Sequence, residues 1–177
     1  IAVEALHMGA TVAEAGLATG IYIIGVLLAR LIGGRYIELM GRKKMLYAGV
    51  IFYLLTTVLY FAFNSMTTLY GVRLLNGIGY GVAATATGTI IAGVIPQSRR
   101  GEGINYFALS LSLAAGVGPL LGMLLQDYFS FAHIINFCIA ILGACLLATF
   151  FLPVEEIELS PEKLAELKSL RLDNFIE

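Results

Sequence analysis

Between Met45 and Ser98 the chain carries a single charged residue, Arg73, in a run that is otherwise apolar, small or weakly polar. Taking a guanidinium into lipid costs at least about 2.5–3.5 kcal/mol. Arg73 therefore either faces a polar cavity or a partner, or snorkels to the near membrane surface, about two helical turns away. Asn76 and Tyr80 follow at i+3 and i+7 and share its helix face. A cation, a carboxamide and a phenol in one strip can line a cavity and bind polar groups; they carry out no covalent chemistry. Gly77, Gly81 and Ala84 have a different use, the close approach of a neighbouring helix.

Two further groups stand out. In Gly33-Gly34-Arg35-Tyr36-Ile37-Glu38-Leu39-Met40-Gly41-Arg42-Lys43-Lys44 one acid faces four cations across a tight turn flanked by glycines. Gly41 permits a backbone with positive φ, and Glu38 can pair with Arg42 or meet a helix N-terminus. Lys43 and Lys44 need do no more than set topology. In Ala114-Ala115-Gly116-Val117-Gly118-Pro119-Leu120-Leu121-Gly122, Pro119 removes a backbone hydrogen bond in mid-membrane and the glycines admit a neighbour. Glu102 reads as a solvated ion pair with Arg99 or Arg100, and His133 as a hydrogen-bonded interfacial residue. Cys138 and Cys145 lie in one apolar segment and read as small packing residues, not a disulfide or metal pair. With no His cluster, no Asp pair and no Ser beside a His in one membrane layer, an enzyme is not expected.

These residues must be held by membrane helices. Of the 177 residues 59% are hydrophobic and 13% charged, too few charges to cover a water-soluble fold, which carries roughly a quarter; mean hydropathy is +0.87. The net charge of −1 gives no basic field for nucleic acid. A span needs about 20 apolar residues, which predicts helices over about 12–34, 46–63, 67–94, 103–126 and 129–152. Arg35, Arg42, Lys43 and Lys44 lie in the first connection and Arg99 and Arg100 in the third; the second is neutral and the fourth holds only Asp127. By the positive-inside rule the first and third connections are cytoplasmic, the N-terminus is outside and the C-terminus inside. An odd number of spans is therefore expected before Ile1. The chain divides into an incomplete transmembrane bundle, residues 1–153, and a charged cytoplasmic linker, 154–177, whose Ser160-Pro161-Glu162 opens a short amphipathic helix.

The motifs resemble the major facilitator superfamily. Gly34, Gly41, Arg42 and Lys43 match its G-x-x-x-D-x-x-G-R-[KR] loop, with Glu38 where Asp is usual; Arg73 and Gly77 match the R-x-x-x-G of its fourth helix. Ala114, Gly118, Pro119 and Gly122 resemble its antiporter signature G-x-x-x-G-P-x-x-G, with Ala114 for the first glycine. The resemblance aligns the five spans with the family's second to sixth helices, most of the N-terminal half of a transporter of about twelve or fourteen helices. It implies a loop around Glu38 that latches the two halves in an outward-facing state, and an Arg73 associated with proton coupling. The leading expectation is proton-driven efflux of small lipophilic compounds or drugs by alternating access, with no cofactor and the proton gradient as energy source. Its partners are the lipid bilayer, a small-molecule substrate, and the first helix and C-terminal half of the same protein. The expected location is a cell membrane of bacterial inner-membrane type. An uptake symporter or facilitator of the same fold, or a membrane scaffold without transport of its own, are the alternatives.

Overall fold

In the computed structural model, which describes residues 1–152, the chain is all α-helical. The linker helix expected after Ser160 lies outside the described residues, as do the side chains of Ala2 and Glu38. A short helix α1 (Ala2–His7) precedes α2 (Val12–Met40), α3 (Arg42–Val58), α4 (Met66–Val94), α5 (Arg100–Tyr128) and α6 (Phe131–Phe150). α3 continues into a 3₁₀ turn, Leu59–Phe61. The five long helices are each long and apolar enough to cross a membrane.

Local chemistry sets the boundaries. Thr11 caps α2 through a reciprocal box: its hydroxyl accepts from the Glu14 N–H at 3.3 Å, and the Glu14 carboxylate accepts from the Thr11 N–H at 2.7 Å. Ser65 caps α4 by accepting from the Thr68 N–H at 3.3 Å. α4 ends where Pro96 forces Ile95 to an extended ψ of 124°. Threonines 85, 87 and 89 return their hydroxyl protons to carbonyls one turn back, at 2.8–2.9 Å, which satisfies them inside α4.

The junction between α2 and α3 differs from the sequence expectation, which left residues 35–45 to a connection. α2 does not stop at Gly34 but runs on to Met40, because Arg35 to Met40 are adequate helix formers with no proline among them. Gly34 and Glu38 thus sit on a helix that extends beyond the apolar segment. The break falls on Gly41 alone, at φ 89° and ψ 142°, a conformation essentially reserved for glycine. Gly41→Ala should therefore cost about 1–3 kcal/mol, read as a lower thermal midpoint of the purified full-length protein in detergent. An unchanged midpoint would mean that the α2–α3 junction is not held in this geometry.

α4 is the spine of the bundle. On one side it meets α2 through Gly25, Gly77 and Gly81; on another it meets α3 through Gly49 and Gly79. A methyl at Gly77 would overlap the Tyr22 carbonyl, and one at Gly25 the Leu74 carbonyl, so these two backbones touch. Without a hydrophobic driving force between helices in lipid, such close backbone approach supplies the dispersion contact that holds them. Two buried apolar clusters result. One joins Ala15, Ala18, Tyr60, Leu69, Val72 and Ile135 near the neutral ends of the helices; the other joins Ile37, Met45, Leu46, Val50, Ala86 and Ile90 near the basic ends. By contrast no residue of α5 is buried.

Candidate functional site

Between the two clusters lies a cavity of about 310 Å³. Ile1 borders it ahead of α1, α2 contributes Tyr22, α3 contributes Tyr53, Thr57 and, at its 3₁₀ end, Tyr60, α4 contributes Arg73 and Asn76, and α6 supplies Ile135, Cys138, Ile141 and Leu142. On α3 the polar residues fall at positions 53, 56, 57 and 60, which the helical repeat stacks on one face.

Arg73 is half-buried and its guanidinium lies over the Tyr22 ring, 4.9 Å from the centroid. Its Nε donates to the Ala18 carbonyl at 3.2 Å. The cation is thus solvated by a π face and a backbone carbonyl, both from α2, in place of water. No carboxylate pairs with it among the described residues.

Asn76, 4% exposed, ties α4 to α3. Its Nδ2 donates to the Thr56 and Thr57 hydroxyls at 3.2 and 3.0 Å, while its Oδ1 accepts from the Tyr60 hydroxyl at 3.4 Å. The threonine hydroxyls spend their own protons on the Phe52 and Tyr53 carbonyls at 2.7–3.0 Å. Every proton in the knot therefore has an acceptor, and no buried side-chain polar atom among the described residues lacks a partner. Tyr80 lies behind this layer, its ring 6.1 Å from that of Tyr22 and 5.9 Å from that of Tyr53.

Removing one side of such a knot is worse than removing both. Asn76→Leu would leave the Tyr60 hydroxyl without its acceptor and should destabilise by about 1–3 kcal/mol. Adding Tyr60→Phe should recover part of that loss, because the orphaned donor goes too. Thermal midpoints of the four proteins of this cycle check it; strict additivity would argue against a shared hydrogen bond.

The remaining sequence candidates lie elsewhere. At the basic end the Arg42 guanidinium lies against Gly93, in the last turn of α4, and Arg100 Nη2 donates to the Ala92 carbonyl at 3.3 Å. Lys43 Nζ donates to the Leu152 carbonyl, just past α6, at 3.0 Å. Cations thus meet the carbonyl ends of α4 and α6, where the helix dipoles favour positive charge. Gly34 is exposed with open space beside it, and the Glu38 carboxylate lies outside the described groups. Ala114, Gly118, Pro119 and Gly122 belong to α5, which passes through Pro119 as one continuous helix; none of them lines the cavity. His133 sits at the start of α6 with its Nδ1 2.7 Å from the Ser130 hydroxyl. Among the described residues no cluster of His, Cys, Asp or Glu is suited to a metal ion.

Of the cavity residues, Arg73 and Asn76 were evident from the sequence. Tyr22, Tyr53, Thr57 and Tyr60 were not singled out there, and Cys138 was read as a small packing residue. For α3 the signal was present, a polar residue every three or four positions in an otherwise apolar span.

Residues 1–176 match the family described as the Major Facilitator Superfamily. An uncharacterized MFS-type transporter of Methanocaldococcus jannaschii is 28% identical over 166 residues, covering 92% of this chain and 42% of that protein. Multidrug resistance protein 3 of Bacillus subtilis is 30% identical over 156 residues, covering 85% of this chain and 30% of its own length. An MFS-type transporter of Rattus norvegicus is 28% identical over 164 residues, 83% of this chain and 35% of its own. The chain thus spans less than half the length of these relatives.

Proposed function

The chain belongs to the major facilitator superfamily, a family of multi-pass membrane transporters rather than enzymes, and on that premise we propose that it forms most of one half of a secondary transporter exporting small lipophilic compounds in exchange for protons. The observation that carries the reading is the cavity around Arg73: a polar, cation-bearing space between packed membrane helices, walled on its other side by apolar residues of α6. A charge retained at such a depth is expensive and marks a transport or coupling pathway more often than a structural accident. Export is favoured by the Ala114–Gly122 resemblance and by the printed name of the Bacillus subtilis relative, a multidrug resistance protein.

In this mechanism the half-bundle rocks as a body against the remainder of the protein about a mid-membrane site. The fixed charge of Arg73 lowers the proton affinity of a carboxylate that approaches it in another state of the cycle, when no ligand occupies the cavity. No Asp or Glu lines the cavity among the described residues, so that carboxylate belongs to another part of the protein. Arg42, Lys43 and Arg100 hold the ends of α4 and α6 on the cytoplasmic side, with the connection between α3 and α4 outside. The membrane is the cell membrane, of bacterial inner-membrane type.

The test is transport by the full-length protein in everted membrane vesicles. Substrate accumulation inside, driven by an inside-acid gradient, is the expected result. Accumulation only under the opposite gradient would replace export with uptake by the same fold, and absence of flux under both would remove proton coupling.

A further inference from the structure

The cavity is electrostatically one-sided. Among the described side chains of its lining one carries a fixed charge, the Arg73 guanidinium, and none is an acid. The contact with the Tyr22 ring and the Nε bond to Ala18 anchor that guanidinium. One edge is thereby committed to α2, and the terminal N–H groups have no carboxylate partner among the described residues. A guanidinium so anchored is preorganised for bidentate capture of a planar oxyanion. Among the other polar groups of the lining, the Asn76 amide is already occupied by Thr56, Thr57 and Tyr60. The walls are tyrosine rings on one side and Ile141 and Leu142 on the other, and about 310 Å³ is the low end of ligand-pocket sizes.

We propose that this cavity selects ligands bearing an anionic carboxylate on a small aromatic body, held by Arg73 and stacked among Tyr22, Tyr53 and Tyr60, and that it disfavours organic cations. The inference rests on the reading of this space as the transport cavity, and it narrows the lipophilic cargo to aromatic weak acids. Electrostatics gives the direction: a fixed cation in a low-dielectric space attracts an anion and repels a cation of the same shape far more strongly than it would in water. The aromatic walls serve either ligand equally, so shape alone would not discriminate.

Cys138 on the cavity wall provides the reporter, with Cys145 replaced by serine to remove the second exposed thiol. The purified full-length protein is labelled with N-ethylmaleimide while three matched probes compete: naphthalene-2-carboxylate, naphthalene-2-carboxamide and 2-naphthylmethylammonium. The carboxylate should slow Cys138 labelling at concentrations at least about tenfold below those of the ammonium. Arg73→Gln should erase that advantage, bringing the carboxylate down to the level of the carboxamide, and Arg73→Lys should retain part of it. Equal or better protection by the ammonium overturns the proposal. So does a carboxylate advantage that survives Arg73→Gln, a thiol closed to maleimide, or protection by none of the probes, as expected if a carboxylate from the rest of the protein already occupies Arg73. Because labelling needs no gradient, the outcome is independent of vesicle transport: coupled export with a preference for the ammonium would sink this inference and leave the export reading standing.

Discussion

Gly77→Ala is expected to lower the stability of the full-length protein by about 3 kcal/mol, near the upper end of the usual range for overpacking, whereas Gly71→Ala on the same helix should be neutral or slightly stabilising. The two substitutions add the same methyl group. At Gly77 that methyl falls on the Tyr22 carbonyl, a backbone atom that moves only if α2 moves, and Gly25 makes the reciprocal contact with Leu74. At Gly71 nothing lies within 4 Å, so the gain in helix propensity, at most about 1 kcal/mol, goes unopposed. The α2–α4 contact also positions Arg73, whose π partner and carbonyl acceptor both belong to α2. Gly77→Ala should therefore impair transport in whatever protein still folds. Thermal midpoints in detergent, with gel filtration to confirm dispersity, decide the matter. Equal midpoints for the two variants would mean that the helices do not meet as closely as described.

Arg73→Ala is expected to separate function from folding: transport should fall by on the order of 100-fold while the thermal midpoint changes little. A charge moved from water into a half-buried site costs several kcal/mol in desolvation, and its partners return about that much. Deleting the charge together with its desolvation cost is thus close to neutral for folding, unlike the loss of one partner of Asn76. Its role in transport has no substitute, because no other described side chain of the lining is charged. Arg73→Lys should recover only part of the rate. An ammonium keeps the charge but lacks the planar fork that contacts Tyr22 while its Nε donates to Ala18. Initial rates in proteoliposomes under an imposed pH gradient read the effect, and wild-type rates in Arg73→Ala would remove the residue from the mechanism.

How far the site could be read from the sequence varied with the kind of physics involved. The membrane helices were readable because each apolar residue contributes its transfer free energy wherever its neighbours lie. Arg73 was conspicuous for the same reason, as one charge in a long uncharged run. The end of α2 was less accessible: a polar, glycine-containing stretch suggests a loop, yet the helix continues to Met40 because nothing before Gly41 forbids it. The antiporter-like residues Ala114, Gly118, Pro119 and Gly122 lie on a helix without a buried residue, away from the cavity. Their spacing carries no information about which neighbour meets them.

By itself, then, the sequence determined that this chain lives in lipid, where its spans lie, and which residues there are too polar to be ordinary. Only the tertiary structure decided that Gly77 touches another backbone while Gly71 does not, and that Asn76 is satisfied by α3. It also decided that Arg73 lies over the Tyr22 ring. The reason is physical. Hydropathy and charge act residue by residue, whereas helix packing in a uniformly apolar medium depends on shape and on which hydrogen-bonding groups come face to face. Those pairings, Arg73 with Ala18 and Tyr22 above all, are long-range and appear only when the helices are assembled.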